Sequence, residues 1–234
     1  MLRHLDLFSG IGGFSLGLEN TGGFETVAFC EIDPLCQKVL AKNWPEVPIY
    51  NDVASYQPTK DVDLVTAGFP CQDISHAGKC AGISGERSGL FWHVIRTICL
   101  VGRPKLLLEN VAALLGRGMG EVLGALATVG YDAEWHCIQP KDIGIPAIRD
   151  RVWIYSHAAE KHVAEMVDPG RLSPKLRRVG AAGLSRVEWT MDKRRMGRGV
   201  DGIPDATHRF EQLGNAVVPQ IPELIGRAIL ERAA

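Results

Sequence analysis

No two of the six cysteines, Cys30, Cys36, Cys71, Cys80, Cys99 and Cys137, form a Cys-x-x-Cys pair. Cys30 and Cys36 also lack histidine partners at zinc-finger spacing. This argues against a structural metal site, so no metal is expected, and scattered thiols fit a reducing compartment. No apolar run approaches the roughly 20 residues that cross a bilayer. Arg3, His4 and Asp6 interrupt the apolar start that a secretory leader would need. The expectation is a cytoplasmic protein with no membrane contact. Excess charge is missing as well, since the net charge is −1. The 234 residues suffice for one larger domain, with a core that needs no disulfide staples.

The balanced total hides an uneven distribution. Between Arg171 and Arg198 nine basic residues face only Glu188 and Asp192. Arg194, Arg195 and Arg198 are the densest part of that island. A basic island on an otherwise acidic chain suggests local contact with a polyanion, with a solvated loop face as the equal alternative.

Up to about residue 155 strand and helix patterns alternate, which predicts a doubly wound, mostly parallel α/β sheet. Leu2 to Phe8 reads as the first strand, Ser9-Gly10-Ile11-Gly12-Gly13 as a glycine turn, and Phe14 onward as a helix. Glycines there let a ligand approach the backbone, and amides at the helix start point at it. The third glycine of a dinucleotide fingerprint is replaced by Ser15, which disfavours a nicotinamide enzyme. Thr26 to Cys30 is the second strand. Asp33 and Pro34 then open a helix as N-cap and first residue, with Leu35, Val39 and Leu40 as its buried stripe. Glu31, roughly 20 residues past the glycines, suits ribose hydroxyls. Asp52 either accepts a bond from an adenine amino group or caps a turn, capping being the simpler reading.

Val62 to Ala67 is a buried strand followed by Gly68-Phe69-Pro70-Cys71-Gln72. Cys71 thus stands just past a strand end, where ligand sites of open α/β sheets lie, and is a candidate nucleophile. Ser75 to Ser88 is a long glycine-rich loop. Ser88 caps a helix with Leu90, Phe91, Val94, Ile95 and Ile98 on its buried face. Lys105 to Leu108 is a strand that ends in Glu109-Asn110-Val111, on the same rim as Cys71. Met119 to Val129 is a helix stopped by Gly130. Tyr131 to Ile138 and Arg151 to Tyr155 are two further strands, joined by a polar segment that holds Ala147, Arg149 and Asp150. Ala158 to His208 breaks the pattern, and Ile221 to Arg232 is a final amphipathic helix. Three units follow: 1–157 with the alternating pattern, 158–208 as a small loop-rich module, and 209–234 with the final helix.

Seven stretches, in this order, resemble the DNA (cytosine-5)-methyltransferases. They are Asp6 to Gly13, Glu31-Ile32-Asp33, Asn51-Asp52-Val53, Gly68 to Gln72, Glu109-Asn110-Val111, Arg149-Asp150-Arg151 and Leu213 to Pro219. The shortness of the chain is like the compact members found in phages and prophages. The resemblance implies an S-adenosylmethionine-dependent methyltransferase fold and methyl transfer to carbon 5 of cytosine in double-stranded DNA. It implies a flipped base and a covalent bond from Cys71 to carbon 6. Glu109 then matches the group that bonds or protonates ring nitrogen N3, Arg149 and Arg151 the pair that holds the catalytic groups, and Asn110 the support of the cysteine loop. The methionine part of the cofactor is implied at Phe8, Ser9, Gly10, Ile11, Gly12 and Gly13, and ribose at Glu31. Adenine is implied between Ile32 and Val53, with its amino group on Asp52. Pro70, Leu90, Asn215 and Ala216 complete the pocket. Lys79, Arg87, Arg194, Arg195 and Arg198 are implied as phosphate contacts of a monomeric enzyme without an obligate protein partner.

The chain departs from the family pattern at Ala147, which stands where glutamine is usual, and at Ile32, which replaces a common aromatic. The resemblance implies that 1–157 is the catalytic and cofactor-binding unit, 158–208 the target recognition module and 209–234 a return to the first unit; that module is very short, so a short or relaxed target site is expected. An RNA cytosine-5 methyltransferase is the nearest rival. The tRNA-acting relatives carry Cys-Phe-Thr in their recognition region, and Ala158 to His208 has no cysteine. A silent nucleic-acid-binding relative would be expected to lose Cys71 or Glu109, and both are present.

Overall fold

The structure is a computed structural model that describes residues 1–58, 61–70, 89–147, 149–158 and 215–233. Cys71, Lys79, Arg87, Arg194, Arg195 and Arg198, the helix cap assigned to Ser88 and nearly all of the 158–208 module lie outside the described residues. Strand β1 (Leu2–Leu7) is central. It pairs in parallel with β2 (Phe24–Cys30) on one side and with β4 (Leu64–Ala67) on the other. Beyond β2 lies the short β3 (Ile49–Tyr50), and beyond β4 lies β5 (Lys105–Val111), both again parallel. β7 (Arg151–Ala158) runs antiparallel to β5, and β6 (Tyr131–Ile138) closes that edge antiparallel to β7. The order is β3-β2-β1-β4-β5-β7-β6. It reverses between β1 and β4, so the crevice outside their carboxyl ends is the topological switch point where such sheets bind ligands.

Helices cover both faces. On one face, α3 (Leu90–Val101) and α5 (Met119–Thr128) bury Phe91, Val94, Ile98, Val122 and Leu126 against Leu5, Leu7, Val65, Leu106 and Leu108. On the other, α1 (Gly13–Glu19) and α6 (Gln220–Ala233) bury Phe14, Leu18, Ile221, Leu224 and Ile229 against Leu64, Leu107 and Trp153. Phe14 meets Trp153 edge-on, with ring centroids 5.7 Å apart. α2 (Pro34–Asn43) starts as its sequence dictates, with Asp33 accepting a bond from the Leu35 amide at 2.8 Å and Pro34 in the first turn. Its buried positions are Cys36 and Leu40, whereas Leu35 and Val39 are half-buried. Because α2 borders the sheet edge near β3, a narrower stripe suffices. A four-residue helix, α4 (Leu114–Arg117), precedes α5 and left no periodic signal.

α6 and α1 approach so closely that only glycine fits between them. A Cβ on Gly17 would lie 2.0 Å from the Pro219 carbonyl oxygen, and one on Gly13 would lie 2.4 Å from that of Val217. A helix from the end of the chain is thereby locked onto the turn that follows the first strand.

Candidate active site

The glycine turn is pinned from below and from the side. Phe8 leaves β1 with φ +54°, the left-handed region that a bulky side chain rarely enters. Ser9 Oγ donates to the Asp6 carbonyl at 2.7 Å, and the Cys30 amide donates to Ser9 Oγ at 3.2 Å. The Gly12 amide closes the turn onto the Ser9 carbonyl at 2.9 Å. Gly10, at φ +54°, has open space where a Cβ would be, as close ligand approach requires. Gly12 serves another purpose, since a Cβ there would lie 2.6 Å from the Trp44 ring. Trp44 is itself held by Nε1 donating to Glu19 at 2.8 Å. The glycines that the sequence assigned together to ligand approach therefore divide. Gly10 opens the site, and Gly12 and Gly13 admit Trp44 and the segment before α6.

Glu31 is buried at the end of β2. Its Oε2 accepts the Gly10 amide at 2.7 Å and its Oε1 the Asp33 amide at 2.8 Å. Each oxygen keeps a second lone pair, so the carboxylate can clamp the turn and still accept from ligand hydroxyls. Ile32, next in the chain, is 73% exposed, an apolar surface of the kind a flat ring covers. Val53 is buried. Asp52 Oδ1 accepts the Ala54 amide at 2.9 Å, so this side chain does cap a turn, and its second oxygen has no such role.

Across the crevice stands Glu109. It lies at the carboxyl end of β5, 8% exposed. β7 is antiparallel to β5, and pairing Val111 with Arg151 brings the first residue of β7 to the same rim. Arg151 Nε lies 2.9 Å from Glu109 Oε1, too oblique for a good hydrogen bond, and Arg149 Nη2 lies at 3.9 Å. Burial pushes the Glu109 carboxyl up from the usual range, and the two guanidinium charges oppose that rise without cancelling it. The side chain is thus disposed to hold a proton. Its Oε2 faces Gly68, where a Cβ would lie 3.5 Å away. Asn110 Nδ2 donates to the Phe69 carbonyl at 3.2 Å, tying β5 to the segment that leads toward Cys71. Arg149 also donates to the Asn215 carbonyl at 2.9 Å, which links this rim to the segment before α6.

The two buried thiols among the described residues, Cys30 and Cys36, compete poorly for a nucleophilic role. Both are pushed up to about 12, by burial first and neighbouring carboxylates second. Phe8 to Gly13, Glu31, Gly68 to Pro70, Glu109, Arg149 and Arg151 thus come together at the carboxyl ends of β1, β2, β4 and β5. Leu90 and Ala216 are half-buried and Asn215 is exposed. Sequence reasoning missed Trp44, and it missed the polar residues beneath the turn, Asp6 and Ser15. A β1 residue with apolar neighbours on both sides reads as outward-facing, and no local signal corrects that.

Comparison with known proteins places this arrangement. The sequence profile of the C-5 cytosine-specific DNA methylases matches residues 2–187. The type II methyltransferase M2.BsuMI of Bacillus subtilis is 40% identical over 159 residues, which are 64% of this chain and 41% of that protein. M.NlaIV of Neisseria lactamica is 33% identical over 202 residues, 78% of this chain and 47% of that protein. The chain thus spans about half the length of these curated relatives. Among solved structures, the S. pombe Dnmt2 methyltransferase superposes with a TM-score of 0.61 at 21% identity, over 80% of this chain and 58% of that one, a likeness of fold. A DNA modification methyltransferase encoded within an E. coli prophage gives 0.57 at 25% identity, over 68% and 47%. With the profile covering most of the residues that build the crevice, the chain belongs to the C-5 cytosine-specific DNA methylase family.

Proposed function

We propose that this protein transfers the methyl group of S-adenosylmethionine to carbon 5 of cytosine in double-stranded DNA. The observation that carries the reading is Glu109, a buried carboxyl disposed to hold a proton, facing the Gly68-Phe69-Pro70 segment that leads to Cys71. The cofactor fits what the chain offers. Gly10 leaves open space, Glu31 keeps free lone pairs, and Ile32 offers an exposed apolar surface. Phe8, Ser9, Ile11, Gly12, Gly13, Asp52, Pro70, Leu90, Asn215 and Ala216 complete the proposed binding set. When bound, the cofactor supplies an electrophilic methyl group.

The rest is work for the chain. Carbon 5 of cytosine is a poor nucleophile. Addition of the Cys71 thiolate to carbon 6 forms a carbon–sulfur bond and makes the ring enamine-like. Glu109 holds a proton at N3, so the ring's gained charge is neutralised as it forms. Arg151 and Arg149 fix the Glu109 carboxyl and limit how far its affinity for that proton rises. After carbon 5 has gained its substituent, loss of the carbon 5 proton and expulsion of the sulfur restore the aromatic ring. The target lies inside a stacked duplex, so the base must be extruded. Lys79, Arg87, Arg194, Arg195 and Arg198 are proposed to hold phosphates, giving salt-sensitive affinity.

Labelled methyl transfer to DNA and to RNA, with wild type and Cys71→Ala, tests the reading. Label on DNA cytosine that disappears in the variant is expected. Label on adenine, label confined to RNA, or an unaffected variant refutes it.

A further inference from the structure

His4, Asp6, Ser15 and Thr66 are each fully buried, and none of them enters the chemistry above. Asp6 and His4 point to the same face of β1, beneath α1. The Asp6 carboxyl accepts the Ser15 hydroxyl at 2.9 Å and a bond from the Ser15 backbone amide. It therefore caps α1, whose own N-cap residue, Gly12, has no side chain to do so. Its other oxygen accepts the Thr66 hydroxyl at 2.8 Å. Behind Thr66, His4 Nε2 lies 2.8 Å from the same hydroxyl oxygen, and His4 Nδ1 lies 3.4 Å from Thr26 Oγ1.

We infer that Asp6 is a positioning residue for the glycine turn, and that Thr66 couples its protonation to a tautomer switch at His4. With Asp6 ionised, Thr66 donates to Asp6, His4 donates from Nε2 to Thr66, and Thr26 donates to Nδ1. With Asp6 protonated, its O–H donates to Thr66, Thr66 donates to His4 Nε2, and Nδ1–H donates to Thr26. One proton is gained overall and resides on Asp6. Each hydroxyl reverses, and the imidazole moves its single N–H from one nitrogen to the other. Both oxygens of Asp6 stay partnered in either state, so the cap on α1 survives the change.

Of the carboxylates around this pair, Glu31 acts on Asp6 and the others are engaged elsewhere. Burial raises the Asp6 carboxyl most, the bonds from Thr66 and Ser15 lower it and Glu31 at the end of β2 raises it a little, so that it stands at about 7. Glu19 of α1 is engaged by the Thr26 amide and by Trp44, Glu109 of β5 by Arg149 and Arg151, and Glu223 of α6 by Arg227. Burial holds His4 down at about 3, so it stays neutral throughout.

The relay needs no cofactor, whereas its effect on cofactor binding rests on the function proposed above. Nitrogen NMR of the cofactor-free, full chain with labelled histidine, titrated through neutrality and assigned with His4→Gln, tests it. The pyrrole-type and pyridine-type nitrogens of His4 should exchange identity with a midpoint near pH 7, the Asp6 value. Thr66→Val should hold one tautomer throughout, and Thr66→Ser should restore the switch. A single tautomer across the wild-type titration, an imidazolium at His4, or an unchanged switch in Thr66→Val overturns the inference. By calorimetry, Asp6→Ala, which removes the cap on α1, should weaken S-adenosylmethionine binding by about tenfold, and Asp6→Asn, which keeps the geometry of the protonated carboxyl, should restore most of it. Unchanged affinity in Asp6→Ala overturns the positioning role. A wild type that binds no S-adenosylmethionine overturns the proposed function and leaves the relay standing.

Discussion

Replacing Gly17 by alanine tests whether the end of the chain is locked to its beginning. In an exposed helix the change would stabilise by about 0.5–1 kcal/mol, because alanine has less backbone freedom to lose. Here the new Cβ meets the Pro219 carbonyl oxygen at 2.0 Å and the Glu223 amide nitrogen at 3.0 Å. Contacts under 3.0 Å are not tolerated, so α1 and α6 must separate by about 1 Å, and the obstacle is backbone that cannot rotate away. Overpacking of this kind costs about 1–3 kcal/mol. Full undocking would expose Ile221, Leu224 and Ile229, each worth about 1.5–3 kcal/mol, so a strained shift is the cheaper response. The net expectation is a loss of about 1–2 kcal/mol, or roughly 2–8 °C in Tm for a chain of this size. Gly124→Ala in α5 is the control, since nothing lies within 4 Å of its Cβ, and a gain of about 0.5–1 kcal/mol is expected there. Thermal unfolding followed by circular dichroism reads both. A Gly17→Ala protein that melts with or above the wild type refutes the close helix contact.

Two further outcomes concern buried carboxyls. The Asp6 value is raised from 3.8 to about 7 in the folded chain, so folding favours the protonated form. The associated stability is complete below the unfolded value and is lost as pH rises through about 7, amounting to about 4 kcal/mol. Urea titrations of Asp6→Asn should show this slope flattened between those values, and an unchanged slope counts against the burial argument. Arg151 lowers the Glu109 value, so Arg151→Met should raise it further. The pH at which single-turnover methyl transfer fails through loss of the Glu109 proton should then move upward, and a downward move contradicts the assigned role.

The order of strands and helices was legible in the sequence because apolar period, glycine turns and the Asp33-Pro34 start are local signals. Residues as far apart as Phe8 and Asn215 could be assigned to one pocket only through resemblance to a family. What the local signals could not supply is the direction of β7. An antiparallel partner for β5 is what carries Arg151 to the rim where Glu109 ends its strand. Nor could they show which face of β1 is wet. Leu5 and Leu7 alternate with His4 and Asp6, the pattern of a half-exposed strand, yet all four are fully buried. The sheet is covered on both sides, and the polar set is satisfied by Ser15 of the neighbouring α1 and by Thr66 of β4, 60 residues further along the chain. Residue chemistry and spacing specify elements and motifs along one dimension. Which carboxyl is buried, what partners it, and which glycine is indispensable follow from long-range packing, where the shape of a neighbour decides.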